Sequence, residues 1–226
     1  MKKTTLIYSL LASALVTSCA MLTSAIPEEK LPPPLRAVVQ TLKQQQAAVE
    51  RKYTAATSLM IDAYGDLAES VGLKKQAAAL KGEANALKAS SAGADAARKA
   101  VERTESLRNE VMKAVAAANA STIQSQAALQ SGFRKRNEAY NLRIVLFADA
   151  SLQIVDAVAR FKSASPLEKA LLTTRLDPFY FMVRDYKRFK AAEQQFETNL
   201  AETRKRVPIP VLKTIPEKAP KLDLKF

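Results

Sequence analysis

The stretch LRAVVQTLKQQQAAVERKYTAATSLMIDAYGDLAESV, residues 35–71, decides the fold class. Val39, Gln46, Tyr53, Met60 and Leu67 recur every seven residues, and Leu35, Leu42, Val49, Ala56 and Ala63 fill a companion seam three or four positions away. That spacing puts both sets on one side of an α-helix. Pro34 suits the first helical position and Gly72 the end. The pattern predicts a helix of 37 residues, about 55 Å long at 1.5 Å per residue.

Composition agrees with that reading. The 226 residues include 40 alanines, only five glycines, and neither tryptophan nor histidine. Alanine, leucine, lysine, glutamine and glutamate carry the lowest cost of helix formation, so the class is all-α. The architecture expected is an elongated antiparallel bundle or coiled coil of long helices.

Downstream, residues 73–90 continue as helix with Gly82 as a weak point, and Ser90 to Gly93 read as a turn. Asp95 is the expected cap of the next helix, which runs through Val101, Leu107, Val111, Val115 and Leu129. Its side chains are small, with 18 alanines between Ala77 and Ala128. From Phe133 to Phe161 the pattern is apolar around most of the circumference, which points to a buried helix. Asp149, Gln153 and Asp156 interrupt it, and central carboxylates are costly in lipid, so the core is favoured over a membrane.

Ser165-Pro166-Leu167-Glu168 is a helix start: a serine cap, proline first, and glutamate three residues after the cap. A further helix is expected from Asp177-Pro178, with Phe179, Met182, Tyr186, Phe189, Phe196 and Leu200 along its seam to about residue 206. An aromatic stripe at this spacing normally packs rather than binds a ligand. Pro208, Pro210, Pro216 and Pro220 then exclude helix, leaving residues 207–226 as an extended basic tail.

The other end of the chain carries an address. Lys2 and Lys3 precede the apolar run LIYSLLASALV, residues 6–16, which is too short to span a bilayer. Next comes Val16-Thr17-Ser18-Cys19, an aliphatic residue, two small residues and the chain's one cysteine. This resembles the lipobox of bacterial lipoproteins, although leucine is commoner in that family at the Val16 position and glycine or alanine at Ser18. The resemblance covers about 19 residues. It implies cleavage before Cys19 and diacylglycerol on its sulfur. Each acyl CH₂ in lipid contributes roughly 0.8 kcal/mol, so two or three chains anchor a protein stably. Ordinary signal cleavage after Ala20 or Ala25, with release as a soluble protein, is the alternative.

The domain plan is therefore residues 1–18 as signal, 19–34 as lipid anchor and spacer, 35–206 as helical bundle, and 207–226 as tail. Pro27, Pro32, Pro33 and Pro34 stiffen the spacer. Ala20 after the cysteine resembles the outer-membrane type of sorting pattern, and the resemblance implies a bacterial envelope location, on the outer membrane facing the periplasm.

Chemistry is sparse. Without histidine, and with the one cysteine acylated if the lipobox resemblance holds, the usual parts of zinc, haem and Ser/His/Asp sites are missing, and no glycine loop for phosphate is present. No enzyme activity, metal or cofactor is expected. Asp149 and Asp156 share a helix face, with Asp62 or Asp177 as candidate companions, but carboxylates in such helices usually pair with lysine or arginine.

The formal net charge is +13, and loss of Lys2 and Lys3 would lower it by two. It concentrates at Arg134, Lys135, Arg136 and Arg143, and again at Arg204, Lys205, Arg206, Lys213, Lys218, Lys221 and Lys225. These are candidate contacts for an anionic envelope component: lipid head groups, lipopolysaccharide or the cell wall. The plainer reading is that they keep an alanine-rich bundle soluble. Nucleic acid is disfavoured by the address. Heptad seams also allow a homo-oligomer. The leading expectation is a lipid-anchored scaffold or accessory binding module. The alternative is a membrane-active or lipid-handling protein using the apolar segment 144–161. Leu222, Leu224 and Phe226 alternate, a pattern that could add to a partner's sheet edge.

Overall fold

The computed structural model describes residues 31–89, 93–161 and 163–207, together with 29 and 209; between 157 and 188 only some side chains are included. Cys19, its lipobox neighbours, the 90–92 turn and the tail beyond 209 lie outside the described residues. Among those described, the chain forms five helices: α1 Pro33–Ser70, α2 Lys74–Ala89, α3 Ala94–Ala117, α4 Gln126–Phe161 and α5 Pro166–Arg204. The fold is all-α, a helical bundle, as composition and heptads predict.

Helix α1 begins one residue earlier than expected, at Pro33, with the Arg36 amide bonding the Pro32 carbonyl. Its end follows the sequence closely. Gly72 has φ +79°, a left-handed conformation that glycine adopts without steric cost. Leu73 N–H reaches the Ala68 carbonyl at 2.9 Å and Gly72 N–H the Glu69 carbonyl at 3.1 Å. Those two bonds make a Schellman motif. Both heptad seams face inward: Val39, Leu42, Val49, Tyr53, Ala56, Met60, Ala63 and Leu67 are buried.

Three boundaries differ from the sequence reading. First, α3 stops at Ala117 instead of running to Leu129. Asn119 accepts from the amides of Ser121 and Thr122 through Oδ1, an Asx turn that offers the backbone an alternative to helix. Ser125 then caps α4, its hydroxyl accepting from the Ala128 amide at 3.1 Å. Gly132 is consequently interior to α4 rather than a boundary. Second, the residue before α3 is Gly93; Asp95 lies inside the first turn and pairs with Arg98. Third, α5 passes through Pro178 as one helix of 39 residues. Proline there removes one backbone bond, and the seam on either side continues the helix regardless. The expected start at Ser165 holds, with its hydroxyl accepting from the Glu168 amide at 3.3 Å.

The chain divides into two compact units, Met1–Ala48 with Ala150–Val183, and Val49–Asp149 with Arg184–Phe226. In the first, Leu31 and Val39 form a small buried cluster with Leu35 against it. Arg36 spans its edge, donating to the carbonyls of Leu31 and Glu29. On the α4 portion of this unit Ala150, Ser151 and Ile154 are buried, whereas Leu152 and Val155 are exposed.

The second unit holds most of the core. Contacts between α1 and α4 step in opposite senses, Asp66 with Ser131, Asp62 with Lys135, Thr57 with Arg143 and Lys52 with Asp149, so the two helices run antiparallel. Gly132 lets them approach: a Cβ there would stand 2.8 Å from Leu67 Cγ and 3.0 Å from the Ala63 carbonyl. Helices α4 and α5 are antiparallel by the same test, through Phe147 with Tyr186, Arg136 with Glu193 and Phe133 with Phe196. Tyr53, Ile61, Leu67, Leu80, Leu129, Phe133 and Leu146 are fully buried, and each contributes roughly 1.5–3 kcal/mol by leaving water. The fully wrapped helix expected at 133–161 is not what forms. In this unit α4 buries Phe133, Ala139, Leu146 and Phe147 but leaves Val145 53% exposed, because helices cover it on some sides only.

Candidate functional site: a buried arginine and aromatic cluster

The heptad that places Leu129 in the core places Arg136 and Arg143 there too, since the three stand seven residues apart on α4. Both arginines are 5% exposed. Four helices converge on them: α1 brings Tyr53, Thr57 and Tyr64; α3 brings Arg108; α5 brings Phe189, Glu193 and Phe196.

Arg136 is the member with a carboxylate partner. Its Nη2 bonds Glu193 Oε2 at 2.8 Å, and its guanidinium carbon stands 3.0 Å from the centre of the Phe196 ring. Among the described residues no carboxylate pairs with Arg143. Its Nη2 donates to the Thr57 hydroxyl at 3.2 Å, and it lies 5.7 and 5.2 Å from the ring centres of Tyr53 and Phe189. Arg108, half-buried, bonds the Thr104 hydroxyl and the Val101 carbonyl and sits 5.7 Å from the Tyr64 ring centre. Aromatic faces attract cations by their quadrupole, by roughly 0.5–2 kcal/mol according to desolvation. That attraction is weaker than a carboxylate.

Among the described residues the cluster therefore holds three guanidinium groups and one carboxylate paired with them, the mostly covered Glu193. The Nε atoms of Arg136 and Arg143 are buried without a hydrogen-bond acceptor. Electrostatics report the same excess. Burial pushes the Arg108 guanidinium below its ordinary value, and the fields of Arg143 and Arg136 push in the same direction against those of Tyr64 and Glu105. Burial pushes the Glu193 carboxyl up despite the pull of Arg136 and Arg143.

A second charge cluster sits on the rim of the same unit and is closed. Asp62 and Asp66 on α1 face Lys81 and Lys88 on α2 and Lys135 on α4, with ion pairs of 2.7 to 3.3 Å. Burial opposes ionisation of Asp66, but hydrogen bonds from Lys135, Lys81 and Ser131 prevail and hold it below the usual carboxylate value. The Glu69 carboxylate raises Lys81.

The residues expected to meet an anionic partner are divided by this geometry. Arg134 is exposed, whereas Lys135 is taken up by Asp62 and Asp66, and Arg136 by Glu193. Arg204 is half-buried; Lys205 pairs with Glu202; Arg206 donates to the Ala116 carbonyl. Lys213, Lys218, Lys221 and Lys225, with Val16, Thr17, Ser18 and Cys19, are outside the described residues. Asp149, a candidate carboxylate, bonds Lys52 at 2.6 Å. Among the described residues no group of three histidine, cysteine, aspartate or glutamate side chains could hold a metal ion. Among them, too, no helix is long and apolar enough to cross a membrane.

Arg108, Thr57 and Glu193 were not singled out by the sequence. The signal for the cluster was present in the register, which sets Arg136 and Arg143 in the seam of Leu129 and Ala150. No protein-family model, curated protein or solved structure matches this chain.

Proposed function

We propose that this chain is a lipid-anchored, non-enzymatic scaffold or accessory binding module of a bacterial envelope. Acylated Cys19 tethers it, residues 20–34 hold the body off the bilayer, and a helical bundle meets another envelope component. In this reading the long helices make an elongated antiparallel bundle, and the tail 207–226 extends from it. The outer membrane, facing the periplasm, is the address.

The observation that carries the reading is a lipobox-like Val16-Thr17-Ser18-Cys19 joined through four prolines to a body that is helical over most of its described length. Several described carboxylates, among them Asp62, Asp66, Asp149 and Glu193, sit in ion pairs with lysine or arginine. Such pairing suits a structural body. Mass spectrometry of the mature N-terminus tests the anchor: an acylated Cys19 is expected, with release from membranes in Cys19→Ser. A free N-terminus after Ala20 or Ala25 would overturn it. Retention of the mature protein on purified sacculi or envelope membranes tests the binding role.

A second reading draws on exposed apolar side chains of α4. Val145, Leu152 and Val155, all within 144–161, are at least half exposed. A membrane-active protein would present such residues to lipid. Dye release from liposomes separates the two: leakage favours this reading, and intact vesicles across pH 5–8 favour the scaffold.

A further inference from the structure

We infer that the Arg108, Arg136 and Arg143 cluster in the second unit is a binding site for a small oxoanion of the phosphate class. The inference is independent of the lipid anchor and of any envelope partner. It begins with a charge count: of the three guanidinium groups only Arg136 has a carboxylate partner among the described residues, Glu193, while exposed Glu105 acts on Arg108 through its field alone. Isolated cations taken out of water are unfavourable by several kcal/mol each unless paired and hydrogen-bonded. Arg143 is 5% exposed, yet among the described residues its hydrogen bond goes to the neutral Thr57 hydroxyl and its Nε meets no acceptor.

Geometry says what the acceptor should be. A guanidinium is a flat fork of donors that matches the paired oxygens of phosphate or carboxylate. Arg143 and Arg136 stand two helical turns apart on α4, and the fields of both reach Arg108 on α3. Thr57 adds a hydroxyl beside Arg143. The Tyr53 and Phe189 rings hold the Arg143 fork in place without competing for its donors. Arg108 is half-buried, the least covered of the three arginines. Glu105 is exposed and its field already acts on Arg108, so it competes weakly with an incoming anion.

The test uses the full mature chain at pH 7 and constant ionic strength, with inorganic phosphate replacing chloride. Thermal unfolding should shift upward saturably, by about 5 °C at a hundred-fold excess over Kd. Isothermal titration should give a matching single-site isotherm. Arg143→Met should lose both responses. It should also melt in chloride at or above the temperature of the parent, because an uncompensated buried charge has gone. Arg134→Gln, at an exposed position, should respond like the parent. Arg143→Lys should bind more weakly, since it keeps the charge but not the fork. Phosphatidylglycerol vesicles that reproduce the shift would assign a lipid head group as the source of the phosphate. Vesicles without effect, alongside a response to free phosphate, would assign a soluble oxoanion. Absence of a saturable response to either source overturns the inference, as does an undiminished response in Arg143→Met. If that variant does not fold, the parent titration alone decides: no isotherm means no site.

Discussion

The second unit contains two charge clusters that share helices α1 and α4 and solve the same problem differently. On the rim, Asp62 and Asp66 are matched by three lysines, whose flexible stems reach carboxylates from neighbouring helices. In the interior, arginines replace lysines, aromatic faces replace most of the carboxylates, and positive charge is left over. Lysine is a strongly hydrated point charge suited to half-exposed positions, whereas the more weakly hydrated guanidinium tolerates burial against rings. The rim cluster closes by pairing. The interior cluster leaves the Nε atoms of Arg136 and Arg143 without an acceptor among the described residues.

Breaking the one closed pair in the interior should have the largest effect. Arg136→Ala takes the ion-pair partner from Glu193 and removes the guanidinium stacked on Phe196; a loss of about 3–5 kcal/mol is expected in denaturant unfolding. The sign with pH is opposite to that of an ordinary salt-bridged acid. Burial already raises the folded Glu193 carboxyl above its ordinary 4.5. A carboxyl raised by folding contributes stability below its unfolded value and loses it as pH rises through the folded value. The deficit of Arg136→Ala should therefore shrink as pH falls toward 4–5. A deficit independent of pH would mean that Glu193 escapes to solvent.

Next in size is the close approach that brings both clusters together. In Gly132→Val the added carbons meet Leu67 and the Ala63 carbonyl, and overpacking of this kind costs about 1–3 kcal/mol. The carbonyl is backbone and yields little. A thermal shift of several degrees is expected, whereas Gly82→Ala, whose new Cβ meets nothing, should be neutral or stabilising by up to about 1 kcal/mol as in any exposed helix interior.

On the rim, Asp66→Asn should cost about 1–2 kcal/mol at pH 7, because a nearly buried acceptor loses its charge while Lys81 and Lys135 keep partial exposure and water. The folded Asp66 carboxyl lies below its ordinary 3.8. Its contribution is present above that value and lost as pH falls through the lower, folded one. Melting temperature measured from pH 5 down to pH 2 should fall more steeply for the parent than for Asp66→Asn. Parallel curves would show that other carboxylates control acid unfolding.

Much of this comparison could be read in advance, but not its outcome. The seams of α1, the Gly72 stop and the Ser165 start all follow local rules, and each is found. The break at residues 118–125 was hidden because alanine on both sides favours helix, while the Asn119 turn decides against it through two local hydrogen bonds. Pro178 misled in the other direction, since a local rule yielded to a helix continuous on both sides. The basic run at residues 134–136 looked like surface when counted by charge. Counted by register, Arg136 and Arg143 belong to the core seam, and which partners they would find depended on α3 and α5 arriving from far along the chain.

The smallest effect sharpens the contrast from outside both clusters. Lys52 and Asp149 form an ion pair of 2.6 Å between α1 and α4, at the opposite end of their contact from the rim network, with side chains 50% and 37% exposed. Water solvates both partners when the pair opens, and holding two side chains together costs rotamer entropy, so exposed pairs rarely exceed about 0.5–1 kcal/mol. Lys52→Ala should change stability by no more than about 0.5 kcal/mol in 150 mM salt. Raising the salt to 1 M should erase that difference, because the screening length falls to about 3 Å. Arg136→Ala should keep its deficit under the same salt, since mobile ions do not reach a pair that the bundle has covered. A Lys52→Ala loss as large and as salt-resistant as that of Arg136→Ala would place the distinction between rim and interior in the wrong part of the molecule.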